Sequence, residues 1–171
     1  EFTVEEGTLY MLQARTGKRT ARAAVGIIVD FVEDGFLSRD DALLRMTASQ
    51  IDQLLHPTID PKAKPQVIAR GLPASPGAAV GKVVFNTHRA VELTAEASER
   101  VILVRQETSP EDIEGMAAAQ GILTARGGLT SHAAVVGRGM GKCCVGGCSE
   151  ITVREDERLF KVGDRLVKEL E

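Results

Sequence analysis

The sequence has no apolar run that approaches the roughly 20 residues needed to cross a bilayer. Its first residues lack the basic and apolar regions of a secretory signal peptide, and it does not begin with methionine. We therefore expect a globular protein without a membrane partner. Because the opening residues read as the end of a strand, we also expect an internal piece of a longer chain, truncated at its C-terminus.

The chain also lacks a strong charge of either sign. Its formal net charge is −3, and its Lys and Arg residues are scattered rather than gathered into a stripe. Nucleic acids and anionic membranes attract concentrated positive charge, so neither is an expected partner. The expected partners are small molecules and other protein domains.

Cysteine is scarce, and the three present, Cys143, Cys144 and Cys148, lie within six positions. An odd number so closely spaced does not suit a secreted disulfide framework. Zinc sites normally take pairs of ligands from two separated clusters, and His56 and His88 are too distant in sequence to supply a second one. We interpret the cysteines as buried thiols of an intracellular protein, in the cytoplasm, or in a plastid or glycosome depending on the source.

The first third of the chain predicts a hairpin followed by three helices. Alternating residues on both sides of Glu6 and Gly7 indicate a hairpin over residues 1–14. Apolar residues at three- and four-residue steps predict a helix from Arg19 to Asp34, ended by Gly35. Capping-box patterns predict two short helices, over 38–46 and 48–55, and prolines then mark residues 56–66 as an interdomain linker.

The remaining residues have the pattern of a mixed α/β domain. Short apolar runs predict strands at 67–69, 79–85, 101–104, 121–124 and 143–145, and further strands at 151–153 and within 158–167 around a Gly163 turn. Ser109 followed by proline and two acids predicts a helix start. We expect Ile113, Met116 and Ala117 to form the buried face of that helix, and we interpret His88 as a surface turn residue.

The residues after the 121–124 strand indicate a reactive site. Gly127 and Gly128 allow a tight turn and close approach by another molecule, and Thr130 is the predicted cap of a helix with His132 in its first turn. The partial positive charge at a helix N-terminus attracts anions and favours the neutral imidazole, whose nitrogen can attack a phosphoryl group. These residues alone fit equally well with a buried histidine beside a turn glycine.

Residues 127–148 resemble the phosphohistidine signature of the phosphoenolpyruvate-utilising enzymes, and within them the pyruvate phosphate dikinase family. Segments 53–57, 69–78 and 108–116 resemble the same family, so the likeness covers nearly the whole chain. Gly137 stands where relatives usually have alanine, and Gly146 stands where they usually have serine.

The resemblance implies a three-part chain. Residues 1–16 would be the C-terminal hairpin of an ATP-grasp domain, 17–66 a helical segment and linker, and 67–171 a swivelling β/β/α phosphohistidine domain. In this family a histidine matching His132 takes a phosphoryl group from the β-phosphate of ATP and passes it to pyruvate. The net reversible conversion turns ATP, phosphate and pyruvate into AMP, pyrophosphate and phosphoenolpyruvate.

The resemblance also implies roles for further residues. Glu1 would bind Mg²⁺, Gln13 and Arg15 would contact nucleotide phosphates, and Ser131 would belong to the active-site turn. Thr130 matches a threonine that a regulatory kinase and phosphatase act on in plant relatives. From the residues alone, Glu1 and Arg15 are better explained as solvated surface groups, and outside plants Thr130 is better explained as a helix cap.

Other domains of the same chain are the expected partners, namely the rest of the ATP-grasp domain and a pyruvate-binding domain, in a homodimer. Two other functions stay open. Phosphoenolpyruvate synthase uses water in place of orthophosphate, and the first component of the sugar phosphotransferase system passes its phosphate to a protein. The family resemblance of residues 12–17 to a nucleotide site argues against the phosphocarrier.

Overall fold

The computed structural model describes residues 1–15, 19–60 and 62–171, which form two compact units. We call Glu1–Leu55 the helical unit and His56–Glu171 the layered unit. Thr16 and Gly17 of the predicted nucleotide motif, and Pro61 of the predicted linker, lie outside the described residues. The division into 1–16, 17–66 and 67–171 therefore stays a prediction.

The helical unit begins with the predicted hairpin. Strands β1 (Phe2–Glu5) and β2 (Thr8–Met11) pair antiparallel, and Glu6 and Gly7 connect them with φ angles of 49° and 77°. Two successive positive φ angles match the right-handed twist of a tight hairpin, which is why glycine suits this turn. All eight strand residues are exposed.

Three helices follow, as predicted: α1 (Ala21–Glu33), α2 (Arg39–Leu44) and α3 (Ala48–Leu55). Gly35 has a φ of 77° directly after α1, as expected of a residue that ends a helix. Thr47 and Gln50 exchange hydrogen bonds between side chain and backbone at the start of α3, which confirms that capping box. Among the described residues, no helix has the length and apolar character to span a membrane.

The layered unit is built on a five-stranded sheet. Its strands in spatial order are β3 (Leu72–Ser75), β7 (Cys143–Gly146), β6 (Gly121–Thr124), β5 (Val101–Arg105) and β4 (Lys82–Val84). The four strands from β4 to β7 are parallel, and β3 pairs antiparallel with β7. The carboxyl ends of β5 and β6 therefore lie side by side.

One face of this sheet carries helices and the other carries a second sheet. The helices are α4 (Thr87–Ala97), α5 (Ile113–Ala118), which a 3-10 turn (Pro110–Asp112) precedes, and α6 (His132–Gly139). The second sheet is antiparallel and contains β8 (Ile151–Arg154), β9 (Leu159–Val162) and β10 (Arg165–Lys168), with Gly163 in the last turn.

The layers follow from period-two alternation along the central strands. On β5, Val101 and Leu103 are buried in the core that includes Met116 of α5, whereas Val104 is buried with Phe160 of β9. A strand that is apolar on both faces needs a covering layer on each side. The mixed α/β fold and its β/β/α layering agree with the sequence expectation.

Two strand predictions were inaccurate. Residues 67–69 form no strand, and β4 spans only Lys82–Val84 of the predicted 79–85. The missed strand is β3, which contains Pro73. Proline removes a backbone donor and argues against a central strand, but β3 is an edge strand with an irregular register at Pro73, where that loss is tolerated.

Two helix predictions also need correction. His88 lies in the first turn of α4, whose cap is the Asn86 side chain, although the histidine is exposed as expected. On α5, Met116 is fully buried but Ile113 is 41% exposed and Ala117 is exposed. The short helix buries Gly115 and Met116 instead, and Gly115 packs closely on the start of α4, since a Cβ there would come within 2.8 Å of the Thr87 Cα.

Candidate functional site

His132 lies at the N-terminus of α6, just beyond the carboxyl end of β6. Ser131 is the cap: it has an extended backbone, and its Oγ accepts from the Ala134 amide at 3.4 Å. The prediction that Thr130 is the cap was wrong by one residue, and Thr130 is exposed. Thr130 and Ser131 both carry a hydroxyl, so the pattern predicted the start of the helix but not which of the two residues caps it.

The turn before the helix depends on Gly127. Its φ is 105°, and a Cβ there would come within 2.9 Å of the Ser131 Cβ. Gly128 is different, because a Cβ at that position would meet nothing within 4 Å. The conformation of the turn therefore requires a glycine at position 127, whereas Gly128 has open space around it.

The histidine ring contacts a residue that follows the neighbouring strand β5. Its Nδ1 lies 3.4 Å from Oγ1 of Thr108, a residue that is 7% exposed and follows β5. The ring itself is half-buried. When Nδ1 carries the hydrogen and donates it to Thr108, the lone pair of Nε2 is available for attack.

Sequence reasoning did not nominate Thr108 as a site residue. The available signal was topological: parallel neighbouring strands end at the same edge of a sheet, so residues after β5 and β6 meet there. Thr108 and His132 are 24 positions apart, and no local pattern connects them.

Arg138, on the last turn of α6, holds the glycine turn from the other side. Its Nε donates to the Ala74 carbonyl at 3.1 Å, and its Nη2 donates to the Leu129 carbonyl at 2.8 Å. A planar guanidinium donates in two directions at once, so it ties the turn to strand β3. Sequence reasoning assigned Arg138 no role.

The cysteines are free thiols on or next to β7. Cys144 and Cys148 are buried and Cys143 is half-buried, which confirms their interpretation as core residues. Burial raises the pKa of all three thiols, that of Cys144 to about 11. Such thiols stay protonated and unreactive at neutral pH. The described residues include no group of three or more His, Cys, Asp or Glu side chains that could hold a metal ion.

Glu1, Gln13 and Arg15 meet at the base of the hairpin in the helical unit. Arg15 Nη2 lies 3.2 Å from Glu1 Oε1 and donates to Gln13 Oε1 at 2.8 Å. The Arg15 and Glu1 side chains are 70% and 61% exposed, so their ion pair faces water. A single carboxylate already paired with a guanidinium does not by itself make a Mg²⁺ site, which takes several oxygen ligands.

Residues 97–165, which include β5, β6, α6 and His132, match the family model described as "PEP-utilising enzyme, mobile domain". This segment belongs to the mobile-domain family of the PEP-utilising enzymes. The matched segment contains both sides of the His132 site, the loop after β5 and the turn after β6.

Three curated relatives are similar over nearly the whole chain. It is 59% identical to the pyruvate, phosphate dikinase of Clostridium symbiosum over 95% of its length, and 57% identical to the chloroplastic enzyme of Flaveria trinervia over 99%. It is also 57% identical to the enzyme of Rhizobium meliloti (strain 1021) over 94%. The chain spans only 18–19% of these relatives' own lengths.

Proposed function

We propose that the layered unit is the phosphoryl carrier of a pyruvate phosphate dikinase and that His132 is the residue phosphorylated. The observation that supports this most directly is the position of His132 at a helix N-terminus, beside the open turn at Gly128 and with Nδ1 held by Thr108. Relatives that carry this enzyme's name at 57–59% identity support the choice of reaction.

The site supports attack by Nε2. With the Nδ1 hydrogen donated to Thr108 Oγ1, the Nε2 lone pair forms the bond to phosphorus, and the leaving phosphate oxygen takes the electron pair of the broken P–O bond. In the second half-reaction the enolate oxygen of pyruvate attacks the same phosphorus, and Nε2 recovers its lone pair. The backbone amides of the first turn of α6 stabilise the transferred anion.

The proposed substrates are those of the whole enzyme. The β-phosphate of ATP supplies the phosphoryl group, orthophosphate accepts the γ-phosphate, and pyruvate becomes phosphoenolpyruvate. The carrier would serve two other domains of the longer protein, the rest of an ATP-grasp domain and a pyruvate-binding domain. The described residues from 56 to 71 form neither helix nor strand, which suits the hinge of a swivelling domain.

The hairpin base is proposed as a small part of the nucleotide site. Arg15 would contact phosphate, Gln13 would orient its guanidinium, and Glu1 would give one oxygen to Mg²⁺ with ligands from elsewhere in the longer protein. Mg²⁺ would neutralise phosphate charge there. The observed contact between Gln13 and Arg15 supports this assignment, since it fixes the guanidinium plane.

Thr130 is proposed as a regulatory phosphorylation site. It is exposed, and it lies in the turn two residues before His132. A phosphate at this position would place about two negative charges beside the incoming phosphoryl group and repel it. A kinase and phosphatase acting on Thr130 would therefore switch the carrier off and on.

The remaining proposals concern assembly and compartment. We propose a homodimer of the full-length enzyme in an intracellular compartment, where free cysteines without disulfides are usual. The Flaveria trinervia relative is described as chloroplastic.

The decisive experiment uses the full-length enzyme that contains this segment, with ATP labelled at the β-phosphate, Mg²⁺ and orthophosphate. We expect acid-labile, base-stable label on the wild type, discharged by pyruvate, and none on His132→Asn. His88→Asn is the matched control, because His88 is an exposed histidine of the same unit. The His88→Asn enzyme should be labelled like the wild type. Equal labelling of wild type and His132→Asn would refute the proposal.

The same assay separates the related functions. Formation of phosphoenolpyruvate that depends on orthophosphate indicates the dikinase, whereas its formation without orthophosphate indicates a synthase that uses water to accept the γ-phosphate. A phosphocarrier of the phosphotransferase type has no nucleotide site, so a protein that takes no label from ATP but passes a phosphoryl group to a second protein would indicate that function.

A further inference from the structure

A cluster of charged side chains lies behind the loop that carries Thr108. Residues 106–109 form this loop between β5 and the 3-10 turn Pro110–Asp112. Carboxylates hold both ends of the loop: the Gln106 amide donates to Glu155 Oε1 at 2.9 Å, and the Ser109 amide donates to Asp112 Oδ2 at 2.9 Å. Thr108 thus lies between two residues, Gln106 and Ser109, whose backbone amides are held by hydrogen bonds.

Asp112 is the more deeply buried carboxylate, with 4% of the residue exposed. Besides the Ser109 amide, it accepts a hydrogen bond from the Thr87 hydroxyl at 2.9 Å on its other oxygen. Burial of an ionised carboxylate costs several kcal/mol unless charged and hydrogen-bonding partners offset it. These partners offset the cost of burying Asp112, which in turn holds the loop in one position at Ser109.

Arg105 joins the two carboxylates. Its Nη1 lies 2.7 Å from Glu155 Oε2, and its Nε lies 3.4 Å from Asp112 Oδ1 as an ion pair without hydrogen-bond geometry. Nη1 also donates to the Phe85 carbonyl at 3.0 Å. Since the Arg105 side chain is only 22% exposed, its charge is partly shielded from solvent and salt.

The loop is also tied to the histidine's own turn. The Arg126 amide, directly before Gly127, donates to the Gln106 carbonyl at 2.9 Å. The Thr108 hydroxyl and the His132 ring are therefore carried by two segments that are bonded to each other. Any displacement of residues 106–109 changes the Oγ1–Nδ1 distance, which at 3.4 Å is already long for a hydrogen bond.

We infer that Arg105, Asp112 and Glu155 are positioning residues for phosphoryl transfer: they hold the Thr108 hydroxyl against Nδ1 of His132, so that Nε2 keeps its lone pair towards the phosphoryl group. None of the three touches the reacting atoms, and each acts through Thr108. The inference rests on the proposed function of His132. It adds that these three residues, through Thr108, keep the His132 ring in the reactive tautomer and orientation.

A purely structural role predicts something different. If the cluster only stabilised the fold, Asp112→Asn would slow labelling to the same extent whether or not Thr108 carried a hydroxyl. If the cluster acts through Thr108, its loss has no further effect once the hydroxyl is gone. A double-mutant cycle separates these cases, because interacting residues are not additive.

The test measures the single-turnover rate of His132 labelling by β-labelled ATP in the full-length enzyme. We compare wild type, Thr108→Val, Asp112→Asn and the double variant. Misplacement of a reacting group by about 1 Å lowers rates by about a hundredfold, so we expect each single variant to be tenfold to a hundredfold slower. The double variant should be no slower than Thr108→Val alone.

Glu155→Gln and Glu157→Gln form a matched pair in the turn between β8 and β9. Glu155 binds Arg105 and the Gln106 amide, whereas Glu157 forms an exposed ion pair with Arg154. We expect slower labelling only for Glu155→Gln. Should Asp112→Asn fail to fold, Arg105→Lys replaces it in the cycle, since lysine keeps the charge but loses the two-way contact.

The outcomes separate the two proposals. A wild type without label on His132 overturns the proposed function and this inference together. A labelled wild type with multiplicative slowing in the double variant, or with unchanged labelling of Thr108→Val, overturns the inference and leaves the carrier function in place.

Discussion

At the scale of single residues, the Thr124 hydroxyl at the end of β6 is buried without a hydrogen-bond partner among the described residues. A buried polar group in this state carries a desolvation penalty of about 1–3 kcal/mol. A Cβ added to Gly146, on the neighbouring strand β7, would lie 3.6 Å from Thr124 Oγ1. A hydroxyl one bond further out reaches hydrogen-bonding distance.

Gly146→Ser should therefore stabilise the chain by about 1 kcal/mol, through the new hydrogen bond and the reduced freedom of the unfolded backbone. Thermal unfolding of the chain measures this. Gly146→Ala is the control, because it provides the backbone effect without the hydroxyl. A serine variant no more stable than the alanine variant would contradict the prediction.

The Cys144 thiol gives stability a pH dependence. Burial, with a smaller contribution from Cys143, raises its pKa from an ordinary 9.0 to about 11. Because the unfolded thiol loses its proton first, its contribution to stability is complete below pH 9 and is lost as the pH rises towards 11.

Denaturant unfolding of the wild type and of Cys144→Ala across this pH range tests the effect. The unfolding free energy of the wild type should fall more steeply with pH, since the other titrating groups are common to both proteins. If the unfolding free energies of the two proteins fell equally with pH, whatever the constant difference between them, the Cys144 pKa would not be raised by folding.

At the scale of elements, the turn and helix that carry His132 depend on one of two adjacent glycines. Gly127 has a φ of 105° and faces the Ser131 side chain, whereas Gly128 has open space around it. The sequence showed both glycines as equivalent, because the pattern that predicts a tight turn does not reveal which residue adopts the positive φ.

Gly127→Ala should destabilise the chain by about 1–3 kcal/mol, and Gly128→Ala by less than about 0.5 kcal/mol. Thermal unfolding of the two variants measures the difference, with each serving as the other's control. The prediction fails if the two substitutions shift the unfolding temperature equally.

At the scale of the whole molecule, the two units differ in the size of their cores. Among the described residues of the helical unit, the buried apolar ones are Ala21, Ala24 and Ala42, all small. The layered unit buries large side chains on both faces of its central sheet, including Leu103, Met116 and Phe85. Since burial of apolar surface provides most of the stability, the two units should differ in local stability.

Hydrogen exchange of the chain should show this difference. We expect the slowest amides in β5 and β6, which lie at the centre of the five-stranded sheet, and fast exchange throughout α1 to α3. Mass spectrometry of peptides from each unit measures it. Comparable protection of α1 and β5 would contradict the argument from burial.

Local signals in the sequence determined much of this protein. Hairpin and helix starts, the period-two strands 101–104 and 121–124, and the glycine turn before His132 all arise from interactions between residues a few positions apart, which a linear pattern records. The candidate nucleophile could be named for the same reason, since its position depends on the turn and cap beside it.

Only the tertiary structure decided what joins distant positions. Strand β3 exists because β7 pairs with it in spite of Pro73. Thr108 meets His132 because β5 and β6 are parallel neighbours that end at one edge of the sheet. Pairing and layer packing are long-range interactions that leave no periodic signal, so the positioning of the reactive ring is a property of the fold.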